Sequence, residues 1–173
     1  MERLGNHIEI TNGYAFKSSK YAENGARIIR ITNVQKGIIE DNNPKYYNLN
    51  DLEKLERYEI HKGDILMSLT GNVGRVGKFP QELLPAYINQ RVCRVKSKSD
   101  ELDNNYLFHI LNSNEFEERA INSSTGIAQL NLSTKWIEEF KIPLPPLKTQ
   151  KHIAQILDDA AALLDKTKQL LKE

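Results

Sequence analysis

The stretch Ile142-Pro143-Leu144-Pro145-Pro146-Leu147 decides how the chain is read, because the residues after it differ in kind from those before it. Proline suits the first turn of a helix but resists continuing a strand. Residues 147–172 contain neither glycine nor proline, and their pattern predicts one unbroken helix. Its apolar series is Ile153, Leu157, Ala160, Leu164 and Leu171, with Thr167 as a polar member. The steps are 4, 3, 4, 3 and 4, the seam of a coiled coil. Ile156, Leu163 and Leu170 widen the stripe. An apolar stripe this broad needs cover, either from a second helix or from the domain it leaves.

Upstream of the prolines, residues 1–144 mix strand, turn and short helix signals. Arg27–Val34, Asp64–Leu69, Val73–Phe79 and Tyr87–Val95 are rich in β-branched residues and bounded by Gly and Asn, so each is predicted as a strand. Asn104–Asn112 and Glu115–Ala120 are predicted as short helices, Ser133 as a cap for a turn through Trp136, and Phe140–Leu144 as a last strand. The expected fold is α+β: a globular domain over residues 1–144 with a mostly β core, then a coiled-coil helix over 145–173. No βαβ alternation or internal repeat is visible.

Composition narrows the function. The 173 residues carry 24 Lys+Arg against 23 Asp+Glu, a net charge of +1, which excludes a histone-like or polyacidic protein. Hydrophobic residues make up 39%, enough for a core. No apolar run approaches the roughly 18 residues of a membrane span, and Met1-Glu2-Arg3-Leu4-Gly5 lacks the apolar core of a signal peptide. With one cysteine, Cys93, neither an internal disulfide nor a cysteine zinc site is expected, and a cytoplasmic location is the expectation.

Catalytic signatures fail on spacing. Gly71-Asn72-Val73-Gly74-Arg75-Val76-Gly77-Lys78-Phe79 would need Gly at 72 and Ser or Thr at 79 to be a phosphate loop, so a hairpin whose glycines adopt positive φ is the better reading. His7, His61, His109 and His152 show no metal-binding spacing, and the Glu139-Phe140-Lys141 triplet lacks a proline–aspartate pair a short distance upstream. Cys93 alternates within a strand with no base beside it and reads as a buried hydrophobe. No catalytic residue, metal site or bound cofactor is expected.

The neutral total hides a pattern. From Asn12 to Lys36 five cations face Glu23 alone, net +4, and from Thr70 to Lys98 six face Glu82 alone, net +5. From Ser99 to Ala120 six acids face Arg119. The basic segments carry Ser18, Asn33, Thr70, Asn72, Asn89 and Gln90, and a further polar loop runs from Asn122 to Asn131. Asn, Gln and Arg can pair with base edges, while Ser, Thr and Lys reach phosphates. The same residues also favour turns.

These residues fall in a familiar order. Gly13-Tyr14-Ala15-Phe16-Lys17-Ser18, then Gly25 and Ile29-Arg30-Ile31-Thr32-Asn33-Val34, resemble the opening of a target recognition domain in type I restriction-modification specificity subunits. Gly63-Asp64-Ile65-Leu66-Met67-Ser68 with Thr70, Gly71 and Gly74 is similar to that family's strand pair, and Asn89-Gln90-Arg91-Val92 comes at its usual distance. Ser124-Thr125-Gly126 with Gln129-Leu130-Asn131 resembles its Gly-Gln-Asn loop, and the proline cluster with Gln150, Ile153 and Ala154 resembles the entry to its spacer helix.

The resemblance implies a non-catalytic subunit that reads double-stranded DNA and holds methyltransferase and restriction subunits on a bipartite site. S-adenosylmethionine, ATP and magnesium would then sit on those partners. Complete members have two recognition domains and two long helices; this chain has room for one of each. A half-subunit would form a homodimer through its C-terminal helix, at Ile153, Leu157, Ala160, Leu164 and Leu171. Lys17, Lys20, Arg75 and Lys135 are the expected phosphate contacts, and Asn72, Arg91, Gln129 and Asn131 are expected at bases or fixing turns. Ser18, Asn33, Thr70, Ser124 and Thr125 complete the expected DNA-binding set, with Gly13, Gly71, Gly74 and Gly126 shaping the loops. Tyr14 and Phe16 are expected in the core. The alternatives are an assembly protein without DNA specificity, or a recognition domain cut from a fused restriction-methylation enzyme.

Overall fold

Along the chain of the computed structural model, which describes residues 1–126 and 130–171, the elements begin with β1 (Glu2–Arg3), β2 (Ile8–Asn12), β3 (Ala26–Ile29), β4 (Gly37–Ile38), β5 (Tyr46–Tyr47), β6 (Ile65–Ser68) and β7 (Val76–Lys78). They continue with β8 (Ala86–Ile88), β9 (Val92–Ser97), α1 (Asn104–Leu111), α2 (Asn114–Ser123), α3 (Thr134–Glu139), β10 (Lys141–Ile142) and α4 (Leu147–Leu170). The expected α+β architecture, a mostly β core with short helices and a long final helix, is what the structure shows.

Strand alternation sorts the core into layers. The central sheet has the order β2-β9-β6-β7-β4. Ile8, Ile65, Met67, Val76, Cys93 and Val95 share one of its faces and pack against Leu107 and Leu111 of α1 and Phe116 and Ala120 of α2. Leu66 and Val92 on the opposite face meet Ile29, Ala86 and Ile88 of a second sheet, ordered β5-β3-β8. The outer face of that second sheet carries Ala26, Ile28, Tyr47 and Tyr87, covered by Phe16 and Leu52. The helices thus cover one side, and two sheets stack on the other.

The four predicted strands form in part, and the departures have local causes. The strand begun at Ala26 stops at Ile29, because the Asn33 side chain accepts from Arg30 N at 2.9 Å and donates to the Glu40 carbonyl at 2.8 Å, winding Ile31–Asn33 into a 3-10 turn. Asn33 is therefore buried and committed to the backbone; the expectation that it touches DNA is corrected to a turn-tying role. Tyr87–Val95 breaks in two at Arg91, whose φ of 65° no strand accommodates, and the halves join different sheets. Residues 73–75 belong to the hairpin turn, with Gly71 and Gly74 at φ of 74° and 77°. The last predicted strand shortens to Lys141–Ile142 and pairs with Glu2–Arg3. Ser133 caps α3 through Lys135 N at 3.2 Å.

The final helix begins where the prolines place it but does not leave the domain at once. Gln150 and Ala154 are buried against the domain and Ile153 packs beside them. His109 of α1 pairs with Asp158 at 2.8 Å. From Asp159 onward every described residue is exposed. No helix among the described residues is long and apolar enough to cross a membrane.

Cys93 lies in the central sheet with no exposed surface, and burial pushes its thiol up to about 12. The folded chain is therefore expected to resist thiol reagents at neutral pH, whereas urea-unfolded chain reacts at its single cysteine. Rapid labelling of the folded chain would place that strand outside the core.

Candidate nucleic-acid interface

Antiparallel order brings the end of β2, the start of β9 and the end of β6 to one edge of the central sheet. The loops leaving these strands are stitched side by side. Gly13 N donates to Val92 O at 2.9 Å, Tyr14 N to Ile88 O at 2.9 Å, and Gln90 N to Tyr14 O at 2.8 Å. Leu69 N then donates to Arg91 O at 2.8 Å, and Leu132 N to Leu69 O at 2.8 Å. Thr70 Oγ1 donates to Asn131 Oδ1 at 2.8 Å, while Asn131 and Thr125 exchange backbone bonds at 2.9 and 3.2 Å. Five segments distant in sequence, at 13–20, 89–91, 69–75, 130–135 and 124–126, thus form one continuous row.

The row contains no Asp or Glu and five cations, Lys17, Lys20, Arg75, Arg91 and Lys135. Cations gathered on rigid loops suit a polyanion, although Glu117 and Asp51 on neighbouring elements approach Arg75 and the Lys17–Lys20 pair. Lys17, Ser18, Lys20, Gly71, Arg91, Thr125, Gly126, Asn131 and Lys135 are exposed, and Gly13, Asn72, Arg75 and Ser124 are half-buried. Tyr47 fixes the Lys17 backbone, accepting from its N–H at 2.9 Å and donating to its carbonyl at 3.0 Å. Thr70 is buried and spends its hydroxyl on Asn131, so it holds the row together rather than facing a ligand, a correction to its expected contact role. Asn89 is similarly internal, accepting from Phe16 N at 3.3 Å. Gln129, expected at a base, lies outside the described residues.

Two features escape sequence reading. Phe16 is buried as expected, but Tyr14 is 40% exposed in the first segment of the row, its ring braced by Phe16 at 5.0 Å and Tyr58 at 5.5 Å. Its place beside Arg91 is set by bonds to residues more than 70 positions away, which no local pattern reveals. The second is Glu117 of α2, which meets Arg75 Nε at 3.2 Å. Among the described residues no group of three or more His, Cys, Asp or Glu could hold a metal ion.

The opposite end of the sheet serves another purpose. Gln150 of α4 binds Glu101 and Asp103, just past the far end of β9. The helix root and the loop row are therefore separated by the length of that strand, about 17 Å at ~3.4 Å per residue.

A family model described as type I restriction modification DNA specificity domain matches residues 1–173, and the chain belongs to that family. It is 33% identical over 167 residues to the specificity subunit of the type I restriction enzyme EcoBI of Escherichia coli, covering 95% of this chain and 32% of the relative. It is 30% identical over 167 residues to the MjaVIII specificity subunit of Methanocaldococcus jannaschii, covering 94% and 39%. The HsdS subunit of Thermoanaerobacter tengcongensis shares the fold with a TM-score of 0.70 at 21% identity, covering 98% of this chain and 39% of that one. The S subunit from M. genitalium gives a TM-score of 0.69 at 16% identity. The chain spans about a third of the length of the curated relatives it matches.

Proposed function

We propose that the chain reads one half of a bipartite DNA sequence for a type I restriction-modification system, and that it catalyses neither methylation nor cleavage. The carrying observation is the acid-free row of five stitched loops. Lysines and arginines there displace counterions and supply sequence-blind affinity. Exposed Asn131, half-buried Asn72 and exposed Arg91 supply side chains able to discriminate bases, each good bidentate contact by ~1–3 kcal/mol. Methyltransferase and restriction subunits would bring S-adenosylmethionine, ATP and magnesium.

The helix supports the second half of the proposal. Beyond Asp158 it extends about 18 Å at 1.5 Å per residue. Leu163, Leu164, Leu170 and Leu171 are all exposed on it. Ile153, expected in the seam, packs against the domain instead, while the seam positions Leu157, Ala160, Leu164, Thr167 and Leu171 are exposed at steps of 3, 4, 3 and 4, so two copies can pair about a two-fold axis. Two reading rows would then stand at a fixed separation, and spacer length becomes part of the recognised sequence.

Co-expression of the chain with a type I methyltransferase subunit from the same genome, and then mapping of methylated bases, tests this reading. A gapped, two-fold symmetric motif is expected. An asymmetric motif would replace the paired copy by a different second half, and methylation that ignores sequence would refute the reading.

A further inference from the structure

Arg75 does not stand in the row as a free cation. Its Nε donates to Glu117 Oε1 at 3.2 Å and its Nη1 to Gln35 Oε1 at 3.0 Å. The other Glu117 oxygen, Oε2, accepts from Lys36 Nζ at 2.6 Å. One carboxylate therefore binds two cations from two loops far apart in sequence. Its side chain is 19% accessible, whereas those of Lys36 and Arg75 are 37% and 36% accessible. The acid lies beneath and the cations above, toward solvent.

The acid is placed by backbone packing as well as by charge. A Cβ at Gly74 would stand 2.8 Å from Ala120 Cβ and 3.6 Å from Glu117 Cα. Glu117 and Ala120 are three residues apart on one face of α2, so this face rests directly on the hairpin. The same helix ends at Ser123 and delivers Ser124 and Thr125 to the row. Burial raises the Glu117 carboxyl, but hydrogen bonds and charge from Lys36 and Arg75 outweigh it and hold the group below its usual range. It is thus an anion whenever the chain meets DNA.

We infer that Glu117 is a positioning residue for selectivity: it offsets one of the two positive charges of Lys36 and Arg75 toward arbitrary phosphates and holds Arg75 in one geometry for a matched site. The inference rests on the DNA-reading role proposed above. A pair this exposed adds little stability. Its larger effect is electrostatic, since each phosphate neutralised by a free cation adds about −0.9 to the slope of log affinity against log salt. With one of the two charges offset, sequence-blind binding is weaker and less salt-dependent.

The test titrates the full chain and Glu117→Gln with a mixed-sequence DNA duplex across a salt series, thermal unfolding serving as the check on folding. The substitution keeps the shape and removes the charge. Glu117→Gln is expected to bind the duplex about tenfold more tightly at low salt, with a slope steeper by about 1. Adding Lys36→Gln to Glu117→Gln restores the net charge of the cluster and returns the slope to the parental value. An unchanged slope in Glu117→Gln, or a steep one that survives the added Lys36→Gln, overturns the inference while leaving DNA reading intact. If Glu117→Gln fails to fold, Lys36→Gln combined with Arg75→Gln decides: a slope shallower than the parent's by about 1 supports the inference, and one shallower by about 2 overturns it. A parental chain with no salt-dependent duplex binding refutes the DNA reading itself, and this inference with it.

Discussion

Gly13→Ala is expected to lower the unfolding free energy by about 3 kcal/mol, a large fraction of the stability of a domain this size. A Cβ at position 13 would lie 1.9 Å from Asn89 O, 2.4 Å from Asn89 C and 2.8 Å from Ile88 O. All three are backbone atoms, so no side chain can turn aside. Nor can the loop retreat, because Gly13 N is bonded to Val92 O and Tyr14 N to Ile88 O. Relief requires breaking one of these bonds, and with it the stitch between the first two segments of the row. Urea unfolding measures the effect. Gly63→Ala is the control: nothing stands within 4 Å, and only its φ of +81° resists a side chain, so a loss of about 1 kcal/mol is expected. Equal midpoints for Gly13→Ala and the parent would contradict the close approach.

Gln150→Leu is expected to cost a similar ~3 kcal/mol and to loosen the helix from the domain. The Gln150 side chain has no exposed surface. Its Oε1 accepts from Asp103 N at 2.9 Å, and its Nε2 donates to Glu101 O and Pro145 O, both at 2.7 Å. Asp103 in turn caps α1, accepting from Asn105 N at 2.9 Å and Tyr106 N at 3.0 Å. One amide therefore ties the start of α4 to the start of α1. Leucine fills the volume but leaves one donor and two acceptors of half-buried or exposed residues without their partner, at about 1–3 kcal/mol each where water does not reach them. Thermal unfolding reads the stability, and faster amide exchange at Asp103 reads the local opening. Unchanged exchange there would mean that Ala154 and the His109–Asp158 pair hold the helix by themselves.

Such contacts explain which parts of the molecule are legible in the sequence. The proline cluster, the heptad spacing and the absence of helix breakers predict a helix over 147–172, and it forms over Leu147–Leu170. Those signals are local. The hairpin glycines at 71 and 74 are equally local, and both adopt positive φ. The strand breaks at Arg30 and Arg91 are not legible, because they depend on bonds from Asn33 to Glu40 and on the junction of two sheets. The loop row is legible as a set of polar segments but not as a row, since its stitches join Tyr14 to Ile88 and Leu69 to Leu132. Asn33 and Thr70 share the composition of contact residues, yet burial gives them internal roles. Glu117 belongs by sequence to an acidic stretch set apart from the basic ones, and only the packing of α2 on Gly74 brings it to Arg75. The helix is legible as an unpaired stripe, while its anchoring through Gln150 and Asp158 is tertiary.

Selection of bound sequences from a randomised duplex pool by the full chain tests the central claim most directly. The account predicts enrichment of one short motif in two inverted copies at a constant separation. It predicts that Leu164→Asp, which sets a carboxylate in the middle of the exposed stripe, enriches the single motif without the spacing. A pool that emerges from the parental chain no richer in any sequence than it entered would contradict it.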